Sequence, residues 1–166
     1  MILDPKVEQG LIDCGIQYQV FECDPDLADT AIFCEKYGFA IDEAANTIIT
    51  ASKTDPIKFA CCIVLGSCRL DVNKKVCELI GVKKASFANA EQTVALTGMQ
   101  IGGVTPFGLP EISYFIDAAV MQKEQVVLGG GNRSSKVLLH PAELLKLPGA
   151  QVVDGLAAMK VQATPS

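Results

Sequence analysis

The strongest constraint on the fold is a pair of β-prone runs joined by a tight turn. Residues 46–50 and 57–65 are rich in β-branched and apolar side chains, and Thr54, Asp55 and Pro56 between them favour a turn. This arrangement predicts a hairpin of two central strands. Segments with helical spacing of apolar residues lie before and after the hairpin, so the sheet must pack with helices.

The rest of the chain alternates between short helical and short strand-like patterns. Asp4, followed by Pro5, is a predicted helix N-cap, and Asn89 with Gln92 is a predicted capping box. Helices are predicted over residues 4–14, 30–37, 71–80, 89–97 and 141–147. Further strands are predicted over residues 16–22, 83–88, 113–121, 125–128, 136–139 and 151–153. Hairpins together with helical connections predict an α/β fold with a mixed sheet.

Length and composition fit one globular domain. The chain has 166 residues, of which 49% are hydrophobic and 20% charged, which excludes disordered, collagen-like and coiled-coil classes. We expect one domain over residues 1–156 and a frayed tail over residues 157–166. The apolar run at residues 59–65 is far shorter than the roughly 20 residues of a membrane span. Because no basic segment followed by an apolar stretch opens the chain, we expect a cytoplasmic protein without a membrane partner.

The number and placement of the cysteines favour buried packing residues over reactive thiols. There are seven, an odd number, with no Cys-x-x-Cys pair, and most lie within apolar stretches. We therefore interpret them as reduced core residues. The alternative is one reactive thiol, for which Cys68, in a segment without a predicted element, is the best candidate.

The single histidine limits the catalytic alternatives. His140 precedes Pro141 and a helical pattern, which is typical of a residue at a helix entry. A Ser-His-Asp or Cys-His mechanism would have to use His140, and no Gly-x-Ser-x-Gly motif accompanies it. A structural zinc site needs four clustered ligands. We therefore expect no metal and no cofactor.

Charge is divided unevenly along the chain. Residues 1–44 carry ten acidic side chains against Lys6 and Lys36, whereas residues 45–166 carry twelve basic against nine acidic. The net charge of −5 argues against a nonspecific nucleic-acid coat, and we expect no DNA partner. Six cations form either one local basic face or an ordinary solvated surface: Lys74, Lys75, Lys83, Lys84, Arg133 and Lys136.

Two glycine-rich segments are the most informative local features. Residues 97–108 hold four glycines and Pro106, so the backbone can approach a ligand and its amides can hold a carbonyl oxygen or an anion. The pattern is not that of a dinucleotide or P-loop site, and a purely structural turn is the alternative. The second segment, residues 129–136, combines three glycines with two hydroxyls and two cations. It predicts a phosphate or ribose contact, or else a wide hairpin turn.

Several short motifs occur together in this chain: Thr97-Gly98, residues 102–108, Ile116-Asp117, residues 129–131 with Arg133, Arg69-Leu70-Asp71 and Lys83-Lys84. In this combination the sequence resembles the YbaK/EbsC/ProX family over nearly its whole length. That resemblance implies an α/β domain with a curved, partly barrel-like mixed β-sheet flanked by helices. It also implies hydrolysis of mischarged aminoacyl-tRNA, notably species charged on tRNA(Pro), with the acceptor end as ligand and a synthetase as candidate partner.

The resemblance also suggests how the site is built. Gly102 and Pro106 match the GxxxP element that lines the aminoacyl pocket of the family, and its amides would polarise the ester carbonyl. We expect Gly103 to supply a second amide and Thr105 to orient water. The other expected substrate contacts are Phe107, Gly108, Gly130, Gly131, Arg133 and Ser135. Met99, Ile101 and Phe33 are either further pocket residues or ordinary core.

One position departs from the family pattern. Many relatives have a lysine at the start of the strand that here begins with Asn46, where it is thought to hold the tRNA terminus. Asn46 can donate a hydrogen bond but carries no charge. Lys136, a cation in the second glycine segment, is the candidate substitute. If nothing replaces the missing charge, the chain is a non-catalytic binder of an aminoacyl or nucleotide group. A third alternative is hydrolysis of another small acyl ester or amide.

Overall fold

The computed structural model of the chain describes residues 3–160. The α-helices are α1 (Pro5–Asp13), α2 (Thr30–Tyr37), α3 (Cys77–Ile80) and α4 (Ala90–Thr97). The strands are β1 (Gln19–Glu22), β2 (Ala45–Ser52), β3 (Phe59–Leu65), β4 (Cys68–Leu70), β5 (Ala85–Phe87), β6 (Ser113–Asp117), β7 (Val126–Gly129), β8 (Ser135–Leu139), β9 (Gln151–Val153) and β10 (Ala157–Met159). Shorter 3₁₀ turns cover Pro25–Leu27, Ile41–Glu43, Ala118–Gln122 and Pro141–Lys146.

The strands form three sheets. The largest has the order β5-β2-β3-β6-β9, with β2 antiparallel to β3 and β5, and with β6 parallel to β3 and β9. The predicted hairpin is confirmed, since Ala45 pairs with Leu65 and Ala51 with Phe59. A second sheet has the antiparallel order β1-β8-β7, and β10 pairs with β4.

The mixed α/β architecture is confirmed, but the barrel-like closure is not. Within residues 3–160, the five-stranded and three-stranded sheets do not join into one closed sheet. They meet at a parallel bridge between Ala44 and Val127, where the chain enters β2. The two sheets therefore face a shared space.

Strand β3 explains why the large sheet is covered on both faces. Cys61, Ile63 and Leu65 belong to a core cluster that includes α1 and the three-stranded sheet. Their alternating neighbours Cys62 and Val64 belong to a second cluster that includes residues 72–77. Since successive side chains point to opposite faces, the continuous apolar run buries both. Each fully buried aliphatic side chain contributes about 2 kcal/mol.

The helix starts follow the predicted capping chemistry. The carboxylate of Asp4 accepts a hydrogen bond from the Lys6 amide at 2.8 Å. The amide of Gln92 donates to the side chain of Asn89 at 2.7 Å, and the Asn89 amide donates back to Gln92 at 3.0 Å. Satisfying these otherwise unpaired donors fixes where α1 and α4 begin.

Three predicted elements differ in type or length. Residues 71–80 open with a π-helical turn, Val72–Val76, before α3. The strand predicted over 113–121 ends at Asp117, and Ala118–Gln122 form a 3₁₀ helix. Residues 141–147 likewise form a 3₁₀ helix rather than an α-helix.

The end of the domain and Cys68 both differ from expectation. Cys68 lies in β4, a strand that the sequence did not predict, and is 6% exposed. Ala157–Met159 pair with that strand as β10 rather than fraying. Residues 161–166 of the expected tail lie outside the described residues. All seven cysteines are free thiols, and six of them are buried, which agrees with the interpretation as core residues. Among residues 3–160, no helix combines the length and apolarity needed to cross a bilayer.

Candidate functional site

A cavity of about 320 Å³ opens where the two sheets face each other. Its walls come from the first half of β2, from β7 and β8, from the start of α2, from α4 and from the glycine segment that follows α4. The cavity is mainly apolar, with Phe33, Ala45 and Ile49 among its lining residues. It is the candidate binding site because it concentrates the polar groups described next.

Lys136 is the charged group of this cavity. It is 6% exposed, and among the described lining residues it is the sole charged side chain. Its Nζ donates to the carbonyl oxygen of Ala28 at 2.6 Å and to that of Gly102 at 3.3 Å, and it lies 5.2 Å from the ring centroid of Phe33. Burial lowers the pKa of Lys136 below that of an ordinary lysine.

Asn46 lines the same cavity from the start of β2. Its side-chain oxygen accepts a hydrogen bond of 2.6 Å from the hydroxyl of Thr30, at the start of α2. This bond fixes the plane of the amide. The structure therefore brings together, in one cavity, the two residues that the sequence linked, Asn46 and its candidate substitute Lys136.

Gly102 reaches the cavity in a conformation that favours glycine. Its φ is +92°, and a Cβ atom here would collide with the guanidinium of Arg133. Within residues 3–160 the Gly102 amide has no hydrogen-bond partner, and Gly102 lines the cavity. The amide of Gly103, by contrast, donates to the carbonyl of Gln100 at 2.9 Å. Of the two expected amide donors, Gly102 is therefore the one without a partner among residues 3–160.

The two glycine segments form one unit. The Gly131 amide donates to the Gly103 carbonyl at 2.7 Å, and the Gln100 amide donates to the Gly131 carbonyl at 3.2 Å. A Cβ on Gly103 would collide with the backbone of Asn132, and one on Gly129 would lie 2.6 Å from the Gly103 carbonyl oxygen. Glycine at these positions thus permits the two backbones to pack in direct contact.

Arg133 braces this unit against the start of α2. Its Nη1 donates to Asp29 at 3.1 Å and to the carbonyl of Ile101 at 3.0 Å, and its Nε donates to the carbonyl of Pro25 at 2.9 Å. It does not line the cavity. Its expected contact with an acceptor end stays a prediction, and in this structure its guanidinium holds three segments of the chain together.

The first glycine segment ends with Thr105, Pro106, Phe107 and Gly108. Pro106 and Phe107 are buried, and Gly108 packs against the backbone of α1, where a Cβ on Gly10 would collide with it. The hydroxyl of Thr105 is buried and has no hydrogen-bond partner within residues 3–160. None of these four residues lines the cavity, so their expected roles in catalysis and binding stay predictions.

The second glycine segment is similarly structural at most positions. The hydroxyl of Ser135 donates to Asn132 at 2.8 Å. The carbonyl of Gly130 accepts a bond from the Asp4 amide at 3.3 Å, and a Cβ on Gly131 would meet the side chain of Asp4. Gly129 and Lys136 are the members of this segment that line the cavity, and roles for Gly130, Gly131 and Ser135 stay predictions.

The sequence predicted some of the other residues that line the cavity. Phe33 and Ile101 line the cavity, whereas Met99 is core. Sequence reasoning missed Thr47, Thr93 and Phe87. The signal for Thr47 was a polar residue in a β-prone run, and its hydroxyl is buried without a partner among residues 3–160.

The described lining contains no His, Cys, Asp or Glu side chain. His140 instead accepts a hydrogen bond from the Ala142 amide at 3.1 Å, at the start of a 3₁₀ helix, as expected of a residue at a helix entry. Within residues 3–160, no three His, Cys, Asp or Glu side chains converge as metal ligands. The arrangement can polarise a carbonyl through one amide and one ammonium, and it leaves the attack to water or a substrate hydroxyl.

The chain is similar to known proteins in sequence and in fold. Two curated relatives are the uncharacterized protein YwhH of Bacillus subtilis (strain 168), 28% identical over 71% of this chain and 73% of that protein, and the candidate Cys-tRNA(Pro)/Cys-tRNA(Cys) deacylase EbsC of Enterococcus faecalis (strain ATCC 700802 / V583), 25% identical over 72% of each.

Two solved structures share the fold. The hypothetical protein APE2540 has a TM-score of 0.82 and 27% identity, over 92% of this chain and 99% of its own. A candidate trans-editing enzyme for prolyl tRNA synthetase has a TM-score of 0.79 and 26% identity, over 92% and 97%. The family described as the aminoacyl-tRNA editing domain matches residues 24–147, which include both glycine segments and β2. The chain therefore belongs to the aminoacyl-tRNA editing domain family.

Proposed function

We propose that this chain is a trans-acting deacylase that hydrolyses the ester bond of mischarged aminoacyl-tRNA. The observation that carries the proposal is the meeting of the buried Lys136 ammonium with Gly102 at one point of a mainly apolar cavity. Family membership supports the reaction class. The ligand is the acceptor end, a synthetase is a candidate partner, and the site of action is the cytoplasm, where tRNAs are charged.

The ester carbonyl is the group that this site would activate. Lys136 uses two of its three N–H donors on backbone carbonyls, which leaves one, and the Gly102 amide is a second donor. Both would donate to the carbonyl oxygen and more strongly to the oxyanion that forms when water attacks. A fixed donor of this kind accelerates acyl transfer by about 10²- to 10³-fold.

The reaction then balances without a protein nucleophile. The oxygen of water forms a bond to the carbonyl carbon, and the tetrahedral intermediate collapses by breaking the bond to the ribose oxygen. That oxygen takes one proton of the attacking water, the other proton passes to solvent, and the amino acid leaves as a carboxylate. The neighbouring ribose hydroxyl can relay the proton. Because an aminoacyl ester is already activated, positioning and charge stabilisation suffice.

The size and lining of the cavity also indicate which aminoacyl groups it can hold. Its volume of about 320 Å³ suits an aminoacyl group, and its lining favours a small side chain without charge. We propose that the substrates include species charged on tRNA(Pro). The names of EbsC and of the prolyl trans-editing relative support this choice.

The second candidate is a binder without turnover. It is favoured by Asn46, which stands where many relatives carry a lysine and whose amide is held by Thr30. Such a protein would retain aminoacyl-tRNA but release no amino acid. Turnover by Asn46→Lys alone would identify it.

The test is deacylation of a panel of mischarged tRNAs, with Cys-tRNA(Pro) first and with correctly charged Cys-tRNA(Cys) and Pro-tRNA(Pro) as references. The parent should release amino acid from at least one mischarged species, and Gly102→Ala should reduce the rate at least tenfold. Gly149→Ala is the matched control, because Gly149 also has a positive φ, of +68°, but faces open space. An inert parent across the panel would overturn the proposal.

A further inference from the structure

Phe87 stands out among the exposed hydrophobic residues. It ends β5, the edge strand of the five-stranded sheet, and is 51% exposed. It lines the 320 Å³ cavity and also a neighbouring open groove of about 950 Å³. Phe87 therefore marks the passage between the candidate active site and the surface outside it.

The groove beyond Phe87 has a lining of polar and apolar residues that includes two cations. Arg69 and Lys160 line it and are exposed, and Asn73 adds an amide. Its acidic residue, Asp71, is already engaged, because its carboxylate accepts a hydrogen bond from the Lys74 amide at 3.1 Å. Within residues 3–160, neither Arg69 nor Lys160 forms an ion pair.

More cations border the groove. Lys83 and Lys84 directly precede β5, and Lys74 lies on the π-helical turn that contacts this strand. All three are exposed, and none is ion-paired within the described part of the chain. The acid-rich residues 1–44 form α1, β1 and α2, and β1 belongs to the other sheet. Of the six cations that the sequence singled out, Lys74, Lys83 and Lys84 lie on or next to elements that border the groove.

We infer that Phe87 is a stacking platform for a terminal base of a single-stranded RNA 3′ end, and that the groove lined by Arg69 and Lys160 holds the preceding phosphates. An exposed aromatic ring beside unpaired cations is the combination that binds unpaired nucleotides. Because the groove is continuous with the cavity and the esterified 3′ end must enter the cavity, the direction in which the RNA runs along the groove is fixed. The inference rests on the proposed function for the identity of the RNA.

The experiment measures binding of uncharged tRNA(Pro) transcript by fluorescence anisotropy, beside the same transcript without its last three nucleotides. Phe87→Ala should weaken binding of the full transcript about 5- to 100-fold. It should leave binding of the shortened transcript unchanged, and Phe87→Tyr should bind as the parent does. Val94→Ala is the matched control, because Val94 is 45% exposed and lines neither the cavity nor the groove.

Two further arms complete the test. If Phe87→Ala does not fold, Phe87→Leu keeps an apolar side chain without an aromatic face and should show the same weakening. Arg69→Gln should reduce the slope of log affinity against log salt by about 0.7 for each phosphate that the side chain no longer neutralises.

The inference would be overturned if the parent did not bind the full transcript, or if Phe87→Ala weakened binding of both transcripts equally. It would also be overturned if poly-glutamate displaced the RNA while Phe87→Ala left RNA binding unchanged. The last result would indicate an acidic protein partner. Because these assays need no turnover, loss of terminal-base binding in Phe87→Ala with an inert parent would sustain this inference and refute the proposed hydrolysis. Deacylation by the parent that Phe87→Ala leaves unchanged would instead support the proposed hydrolysis and refute this inference.

Discussion

The Nζ atom of Lys136 lies 3.3 Å from the carbonyl oxygen of Gly102. These residues are 34 positions apart, one in β8 and the other in the segment after α4, and their contact joins the two glycine segments at the cavity. The contact places the ammonium at the Gly102 carbonyl, in the cavity that both residues line.

The first prediction concerns the pH dependence of deacylation. Burial lowers the pKa of Lys136, and the proposed mechanism needs its charged form. The enzymatic rate, after subtraction of spontaneous ester hydrolysis, should therefore fall as pH rises through a value lower than an ordinary lysine would give. Lys136→Arg keeps its charge over the accessible range, so its residual activity should lack this fall. Identical pH profiles for the two proteins would contradict the assignment.

The second prediction concerns the packing of Gly102 against Arg133. A Cβ at position 102 would collide with the Arg133 guanidinium and lie 3.1 Å from Asp29, at a φ of +92°. Gly102→Ala should cost about 1–3 kcal/mol in the free energy of unfolding. In an Arg133→Ala background the cost should shrink, giving a coupling energy of about 0.5–3 kcal/mol in a urea-denaturation cycle. Strict additivity would show that the collision does not govern this position.

The third prediction concerns alkaline stability. Burial raises the pKa of Cys62 to about 12, from 9.0 for an exposed thiol. Because the folded form keeps the proton longer, this stabilisation is fully present below pH 9 and is lost as pH rises toward 12. Each such thiol steepens the decline by about 1.4 kcal/mol per pH unit in this window.

The variant that tests this prediction is Cys62→Ala. It should lower the free energy of unfolding at pH 7 by about 1 kcal/mol. Its deficit relative to the parent should shrink at pH 10, as measured by urea denaturation under reducing conditions. An equal deficit at both pH values would mean that the Cys62 thiol does not ionise on unfolding.

The fourth prediction concerns the amide of Asn46. Its hydrogen bond of 2.6 Å to Thr30 fixes its orientation in the cavity. Thr30→Val removes the hydroxyl at nearly constant volume and should raise KM for the mischarged tRNA, whereas Thr30→Ser should behave as the parent. A change in thermal stability without a change in KM would assign this bond a purely structural role.

Local chemistry explains which parts of the fold were predictable. The hairpin of β2 and β3, the Asp4 cap and the Asn89–Gln92 capping box depend on neighbouring residues, and all were predicted correctly. Strand β4 was missed because Cys68–Leu70 is three residues long and is defined by its pairing with β10.

Only part of the candidate site was predictable from the sequence, because nine of the twelve expected site residues do not line the cavity. The sequence singled out Gly102, Asn46 and Lys136, and all three line the cavity. It also assigned Gly103 a free amide and Arg133 a ligand contact. The structure instead pairs Gly103 with Gln100, and Arg133 with Asp29 and two backbone carbonyls. The contacts of Arg133 join residues 32 to 108 positions apart. Hydrogen bonds of such long range have no signature in sequence spacing.

The most direct test of the account is the single-turnover rate of Cys-tRNA(Pro) deacylation by Lys136→Met. Lys146→Met is its matched control, because Lys146 also donates to a backbone carbonyl, that of Gly15 at 3.0 Å, but lies outside the cavity. The account predicts a rate at least about 100-fold lower for Lys136→Met, with a circular dichroism spectrum like the parent's, and an unchanged rate for Lys146→Met. A folded Lys136→Met that deacylates at the parental rate would contradict it.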